Sequence, residues 1–196
     1  EWLDDWMPQL TSDEVPINQY RIIHDLYDNV DVANTIITHD AGSPRDQLVP
    51  MWKCVAPRTY IGWGKSTQPG FGLGATMGAK LAEPDKLCIN IMGDAAIGMV
   101  GMDIETAFRN QIGILTIVFN NQIMAIERSH QPYSAESHDS LAHGGDYEKV
   151  AEGLGAWSKK VTQPEEFVPA LEEAVRVTKT GRPAVLDCVV KAGYDF

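Results

Sequence analysis

Residues 89–128 read INIMGDAAIGMVGMDIETAFRNQIGILTIVFNNQIMAIER, and this stretch decides the fold. An apolar run over residues 86–92 predicts a strand, the segment from about 100 to 110 predicts a helix, and a second apolar run over 112–119 predicts another strand. Two consecutive buried strands that pair in parallel need a crossover helix of this kind. The stretch is therefore predicted to be a βαβ unit, with both strands ending at the same edge of a sheet.

The alternation of strand and helix continues on both sides of this unit. Further helices are predicted over 16–28, 72–82, 146–155 and 164–178, and further strands over 34–38, 157–161 and 183–190. We therefore predict an α/β fold, a doubly wound parallel sheet with helices on both faces. Residues 1–15 are interpreted as a linker and 16–196 as one domain. The chain starts at Glu1 without an initiator Met, so we expect a fragment of a longer chain or a processed one.

Two further expectations concern the helix of the βαβ unit and a polar segment beyond it. Met99, Met102 and Phe108 lie at helical spacing, which predicts that they belong to the core. Residues 129–145 are polar and carry three histidines whose irregular spacing matches no metal-binding signature. This segment is predicted to be a mobile loop over the site.

Composition narrows the classes of function. The chain has 196 residues, of which 44% are hydrophobic, enough for one sizeable core. Its formal net charge of -11 argues against a nucleic-acid partner, whose phosphates need a basic face. No apolar run reaches the length of a membrane span. The three cysteines show no paired short spacing, so we expect free thiols and a reducing, cytoplasmic compartment.

Polar residues follow both strands of the βαβ unit. Gly93-Asp94 follows the first strand and Asn120-Asn121 the second, so Asp94 and Asn121 are expected to emerge side by side. A carboxylate and a carboxamide suit a hard cation such as Mg²⁺, particularly where a phosphate completes the coordination shell. The alternative is a Gly-Asp turn that caps a helix, followed by an ordinary Asn-Asn loop. Spacing alone leaves both interpretations open.

At these positions the sequence resembles the motif that binds thiamine diphosphate, in which Gly-Asp-Gly is followed at about this distance by Asn-Asn. The neighbouring segments also resemble the C-terminal domain of the acetolactate synthase, pyruvate decarboxylase and benzoylformate decarboxylase group. The resemblance implies that Asp94, the Asn121 side chain and the Ile123 carbonyl hold Mg²⁺, which bridges to the cofactor diphosphate. Ala95 departs from the motif, where Gly is usual, and would weaken cofactor binding if the turn needs a positive φ or a close approach of the backbone to the ligand.

The resemblance also implies where the cofactor lies. The turn after the strand over 34–38 corresponds to one that touches the diphosphate, although Ser43-Pro44 departs from the Gln-His that is common there. Residues 67–70 would lie over the aminopyrimidine, with the Thr67 carbonyl accepting from its amino group. Pro69 would take the place of the large aliphatic side chain that wedges between the two rings. The implied cofactor-binding residues are Ala41, Gly42, Ser43, Thr67, Gln68, Pro69, Gly93, Asp94, Ala95, Ala96, Asn121, Ile123 and Met124.

Three more ionisable residues are candidates for chemistry. Glu127 follows the Asn-Asn pair where pyruvate-decarboxylase-like members of the family carry a glutamate that assists proton transfer. It is our candidate catalytic residue, and an ion pair with Arg128 or another charge is the alternative. His39 and Asp40 end the strand over 34–38, where either catalysis or helix capping would account for them.

The resemblance implies an enzyme whose active site needs a second domain in addition to this chain. Enzymes of the family decarboxylate or carboligate 2-oxo acids on thiamine diphosphate. The glutamate that activates their cofactor lies on a separate pyrimidine-binding domain, normally from a neighbouring subunit. We therefore expect half of an active site, completed in a homo-oligomer such as a dimer or tetramer. Two alternatives remain: a degenerate cofactor-binding or regulatory module, and a nucleotide-binding α/β domain unrelated to thiamine.

Overall fold

A computed structural model of the chain describes residues 2–62 and 68–192. Its strands are β1 (Thr35–His39), β2 (Tyr60–Ile61), β3 (Leu87–Gly93), β4 (Leu115–Asn120), β5 (Trp157–Val161) and β6 (Ala184–Val189). They form one sheet in the order β2-β1-β3-β4-β6-β5, and every pair of neighbours is parallel. The predicted α/β fold is confirmed, and only the short edge strand β2 is an addition to the predicted strands.

The helices connect these strands. They are α1 (Trp2–Leu10), α2 (Gln19–Asp28), α3 (Ser43–Met51), α4 (Phe71–Ala82), α5 (Asp94–Val100), α6 (Asp103–Arg109), α7 (Pro132–His138), α8 (Tyr147–Gly153) and α9 (Pro164–Thr178). Residues 2–10 of the segment interpreted as a linker thus form α1, and its Trp6 ring packs on Tyr20 of α2 at a centroid distance of 4.9 Å. The predicted first helix starts later than Pro16, because the Asn18 side chain accepts from the Tyr20 N–H and caps α2.

Two hydrophobic clusters cover the two faces of the sheet. On one face, α2, α3 and α9 contribute apolar side chains that include Ile23, Leu48 and Phe167. On the other face, α4, α5, α6 and α8 contribute a second set that includes Leu73 and Ile104. Because β1, β3 and β4 are covered on both sides, their residues are buried nearly throughout rather than in alternation.

The register of the central strands determines where the site lies. His39 of β1 is paired with Ile91 of β3, and Gly93 of β3 is paired with Phe119 of β4. The chain therefore leaves β1, β3 and β4 at one edge of the sheet. This is the edge where open α/β folds bind ligands.

The helix predicted over about 100–110 is wrong in its bounds. The chain becomes helical at once after β3, forms α5, breaks at Gly101 and resumes as α6. The expected core positions are also wrong, since Met99, Met102 and Phe108 are 58%, 71% and 45% exposed. Helical spacing identified an apolar stripe that is largely exposed, although the Phe108 ring packs over Gly155.

Other expectations had mixed outcomes. The polar segment over 129–145 contains the helix α7 and so is not a continuous loop. All three cysteines are free as expected, with Cys88 and Cys188 buried and Cys54 exposed. Among the residues that the structure describes, no helix has the length and apolar character needed to cross a membrane.

Candidate active site

A pocket opens at the edge where β1, β3 and β4 end. It is lined by Ala41, Gly42, Ser43, Arg45, Pro69, Gly93, Asp94, Ala95, Ala96, Phe119, Asn121, Ile123, Met124, Ala125, Ile126 and Glu127. The structure thus brings together, around one concave surface, nearly all the site residues that the sequence predicted. Gln68 is not among the lining residues, and Thr67 lies outside the residues that the structure describes.

Asp94 joins two walls of the pocket. It is the first residue of α5 and is 3% exposed. Its Oδ1 accepts from the Ala95 N–H at 2.8 Å, and its Oδ2 accepts from the Gln122 N–H at 2.6 Å, across the gap between β3 and β4. Burial raises the pKa of Asp94, and the backbone donors oppose that shift because they favour the carboxylate.

The two asparagines after β4 have different roles. Asn121 lines the pocket, and its Oδ1 accepts from the Ile123 N–H at 3.2 Å. The Asn120 side chain turns away and donates to Asp187 Oδ1 at 2.9 Å. Gln122, which follows, has a φ of +61°, and this left-handed turn lets the chain pass back beside Asp94.

The loop that carries Asn121 is held by a second segment. Met124 N–H donates to the Leu141 carbonyl at 3.0 Å, and His143 N–H donates to the Gln122 carbonyl at 2.9 Å. Ile123 and Ala142 form an antiparallel bridge between these bonds. The end of the segment predicted to cover the site therefore fixes the backbone of the loop that lines it.

The donor set at this edge suits a hard cation. Asp94 offers one carboxylate and Asn121 one carboxamide, and Ile123 lies beside them on the pocket wall. Within the described residues, no group of three or more His, Cys, Asp or Glu side chains could hold a metal ion. A site with so few protein ligands fits Mg²⁺, which usually takes one or two carboxylates and completes its shell with phosphate oxygens and water.

The departures from the motif cause no strain here. Ala95 lies within α5, and the non-glycine residues with positive φ are Arg58, Gln111, Gln122 and Asp139. Alanine therefore suits the backbone conformation at this position. Pro44 occupies the first turn of α3, where proline is favoured because its missing N–H would have no helical partner.

Glu127 reaches the pocket from a 3₁₀ turn, Ala125–Ser129. Its carboxylate lies 3.9 Å from His130 Nδ1, and among the described residues no ion pair with Arg128 forms. The side chain is 39% exposed. A carboxyl that transfers protons to a substrate works best where water is excluded, and the residues described here leave Glu127 open to solvent.

His39 and Asp40 stand behind the pocket rather than in it. His39 is 2% exposed, its Nδ1 lies 3.1 Å from the Asp40 carbonyl, and burial lowers its pKa. Asp40 binds backbone N–H groups, as the capping interpretation requires. Neither side chain is placed to contact a ligand in the pocket.

Four lining residues escaped the sequence analysis: Arg45, Phe119, Ala125 and Ile126. Arg45 belongs to α3, a helix that was not predicted, and its guanidinium is paired with the Asp46 carboxylate. Phe119 is part of the predicted strand, but its place directly before the Asn-Asn pair indicates a position near the site. Ala125 and Ile126 follow from the 3₁₀ turn, which packs Ile126 against the turn at Gly42.

Comparison with known proteins identifies this arrangement. The sequence profile described as "Thiamine pyrophosphate enzyme, C-terminal TPP binding domain" matches residues 40–188. The chain belongs to the thiamine pyrophosphate enzymes. Thiamine pyrophosphate is another name for thiamine diphosphate, so the resemblance seen in the sequence is confirmed. The alternative of a nucleotide-binding domain unrelated to thiamine is set aside.

Individual relatives within this thiamine pyrophosphate family have related names. A probable acetolactate synthase large subunit of Methanocaldococcus jannaschii is 28% identical over 94% of this chain and 32% of its own length. A 2-hydroxyacyl-CoA lyase of Oryza sativa is 30% identical over 93% of this chain and 33% of its own length. A putative thiamine pyrophosphate-containing protein of Bacillus subtilis is 26% identical over 97% of this chain and 33% of its own length. The chain spans about a third of the length of these curated relatives.

Proposed function

We propose that this chain is the thiamine diphosphate and Mg²⁺ binding domain of an enzyme that decarboxylates or carboligates 2-oxo acids. One observation carries the proposal: the ends of three neighbouring parallel strands meet around a pocket that holds Asp94, Asn121 and the small residues of the thiamine diphosphate motif. The names of the relatives, acetolactate synthase and 2-hydroxyacyl-CoA lyase, support this class of carbon–carbon chemistry.

The residues present fit the cofactor. Asp94, Asn121 and the Ile123 carbonyl would hold Mg²⁺, and residues 41–43 and 93–96 would contact the diphosphate through backbone groups and small side chains. Pro69 and Met124 would pack on the rings. When bound, thiamine diphosphate supplies a carbon nucleophile and accepts the electrons released when a bond next to a carbonyl breaks.

The chain's own residues would position the ligands of Mg²⁺ and transfer a proton to or from the substrate. The hydrogen bond from Gln122 N–H to Asp94 fixes the separation of the β3 and β4 turns, and hence the spacing between Asp94 and Asn121. Glu127 would exchange a proton with the reacting substrate once a second domain encloses it. That domain would come from a neighbouring subunit of a homo-oligomer or from the remaining length of the protein.

Calorimetric titration tests the proposal. Thiamine diphosphate is added to the wild-type chain with and without Mg²⁺, and to Asp94→Ala. We expect binding that depends on Mg²⁺ and falls at least about a hundredfold in Asp94→Ala, because the variant removes a charged ligand. Asp103→Ala is the matched control, since Asp103 also begins a helix but is exposed and remote from the lining residues.

Three outcomes would contradict this function. If binding is indifferent to Mg²⁺, or if Asp94→Ala binds as well as Asp103→Ala, the cation does not occupy the Asp94 site. Absence of heat with the wild-type chain at millimolar cofactor would favour the degenerate module instead. The negative φ of Ala95 removes backbone strain as a motive for that alternative, whereas close approach of a ligand to Ala95 and the short side chain of Pro69 remain motives.

A further inference from the structure

Asp40 is a fully buried carboxylate that the function above does not use. It follows β1 directly, is 0% exposed, and does not line the pocket. Its Oδ1 accepts from the Ala41 N–H at 2.8 Å and from the Gly70 N–H at 2.7 Å, and its Oδ2 accepts from the Gly72 N–H at 3.3 Å. One side chain therefore bonds to two turns that are distant in sequence.

Both of these turns contribute to the pocket wall. The turn at 41–43 lines it after β1, and Pro69 lines it just before α4. Gly70 caps α4 in a left-handed conformation with a φ of +99°, and its N–H is one of the donors to Asp40. Asp40 thus connects the two parts of the wall through backbone groups, behind the surface that a ligand would touch.

The glycines show that this connection is tightly built. A Cβ on Gly70 would lie 2.3 Å from Val100 Cγ1, and a Cβ on Gly72 would lie 2.3 Å from Asn90 Oδ1. Only glycine allows the backbone of the 70–72 turn to approach the sheet and α5 so closely. The approach brings both N–H groups within reach of Asp40.

Burial of the Asp40 carboxylate costs free energy of desolvation, so a benefit elsewhere in the structure should offset that cost. Desolvation raises the pKa of Asp40, and no cation is hydrogen-bonded or ion-paired to its carboxylate among the described residues. The same two turns could be joined to the sheet by neutral backbone hydrogen bonds at lower cost. A carboxylate does more, because each oxygen can accept from several N–H groups at once and so fixes the turns relative to each other.

We propose that Asp40 is a positioning residue that sets the spacing between the turn at 41–43 and Pro69, so that both parts of the pocket wall engage one ligand simultaneously. This inference rests on the proposed function, in which the turn at 41–43 contacts the diphosphate of thiamine diphosphate and Pro69 contacts its rings. A ligand that spans both turns depends on their spacing. A ligand that reaches only one turn does not.

The test compares a spanning ligand with a short one. Thiamine diphosphate with Mg²⁺ and inorganic pyrophosphate with Mg²⁺ are titrated calorimetrically into the wild-type chain and Asp40→Asn. We expect Asp40→Asn to lower the affinity for thiamine diphosphate by about tenfold or more and to change that for pyrophosphate by less than about threefold. Equal loss for both ligands would overturn the proposal, because general destabilisation affects both alike.

Glu166→Gln is the matched control. The Glu166 carboxylate also accepts from backbone N–H groups, those of Thr162 and Gln163, but it caps α9, which contributes no lining residue. We expect this variant to lose stability without any selective loss of thiamine diphosphate. A selective loss in Glu166→Gln as well would overturn the assignment to Asp40.

Hydrogen exchange separates this inference from the proposed function, because it needs no ligand. In Asp40→Asn, the amides of Ala41, Gly70 and Gly72 should exchange at least about tenfold faster than in wild type, while those of β4 are unchanged. Unchanged protection at Gly70 and Gly72 would overturn the role of Asp40. Failure of the wild-type chain to bind thiamine diphosphate would instead overturn the proposed function, and the exchange result would still decide whether Asp40 couples the turns.

Asp40→Ser provides a second variant, because its hydroxyl keeps one short acceptor and leaves room for water. It should show the same selectivity as Asp40→Asn. If neither variant folds, as judged by circular dichroism, the positioning role is overturned, because Asp40 would then be required for folding itself.

Discussion

Ala95, which replaces the usual glycine of the motif, has a helical backbone conformation. The residue begins the body of α5 with negative φ, and its N–H donates to Asp94 Oδ1. Alanine is the better helix former at such a position, since glycine loses more conformational freedom on folding. The substitution found here therefore favours the local structure.

We predict that Ala95→Gly lowers the free energy of unfolding by about 0.5–1 kcal/mol and leaves the affinity for thiamine diphosphate unchanged. Gly98→Ala is the reciprocal variant in the same helix: Gly98 is exposed and a Cβ there meets no atom within 4 Å. Gly98→Ala should raise the free energy of unfolding by about 0.4–1 kcal/mol. Urea unfolding and calorimetry provide the two measurements. An affinity that rises in Ala95→Gly would show that alanine does impair the site.

At the scale of single residues, the sequence predicted the position of a site residue correctly where that residue directly follows a predicted strand. Asp94 and Asn121 each follow a strand directly, so predicting two parallel strands was enough to bring them together. The partners of Asp40 could not be found in this way, because Gly70 and Gly72 are 30 and 32 residues away. Their meeting depends on the packing of α4 against the sheet.

Asp187 shows how a buried carboxylate can join whole elements. It lies in β6 and is 0% exposed. It accepts from the Asn120 side chain at the end of β4 and from the Tyr147 N–H at the start of α8, at 3.2 Å. The bond thus ties two strands and a helix together at the edge of the sheet that holds the pocket.

The stability contribution of Asp187 should depend on pH in an unusual direction. Burial raises its pKa, so the native state binds a proton more tightly than the unfolded state does. Wild-type stability relative to Asp187→Asn should therefore be greatest at low pH and should fall as pH rises through the raised pKa of Asp187. Urea unfolding of both proteins over a pH series that starts below the ordinary Asp pKa of 3.8 and rises to neutral pH measures the difference.

Glu166→Gln gives a control of opposite sign. Hydrogen bonds from the Thr162 and Gln163 N–H groups lower the pKa of Glu166, so its contribution is present above its ordinary value and is lost as pH falls. If the wild-type advantage over Asp187→Asn instead grows with pH, as it does for Glu166→Gln, then the hydrogen bonds to Asp187 outweigh its burial.

At the scale of elements, periodicity succeeded where an element is long or fully apolar. The strand over 157–161 and the helix over 164–178 were predicted with their observed bounds. It failed for α3 and α7, which are amphipathic only weakly or not at all and begin at or just before a proline. Their helical conformation depends on contacts with neighbouring elements, which a local pattern does not contain.

At the scale of the whole molecule, two observations support the proposal that the domain works with a further partner. Glu127 lines the pocket yet is 39% exposed, and the chain spans about a third of its relatives. The exposed Met99 and Met102 explain why the sequence alone misjudged the core, because helical spacing marks an apolar surface but does not say whether that surface is buried.

We predict that the isolated chain binds thiamine diphosphate with Mg²⁺ but does not consume 2-oxo acids such as pyruvate. Glu127 lines a pocket that leaves its side chain 39% exposed to solvent, and nothing in the sequence resembles the domain that activates the cofactor in this family. The full-length protein, carrying the same residues, should turn over its 2-oxo acid, and Glu127→Gln in that protein should lower kcat about a hundredfold at unchanged cofactor affinity. Substrate consumption measured at saturating cofactor compares the two forms. Turnover by the isolated chain that disappears in Asp94→Ala would mean that this domain contains a complete active site and needs no partner.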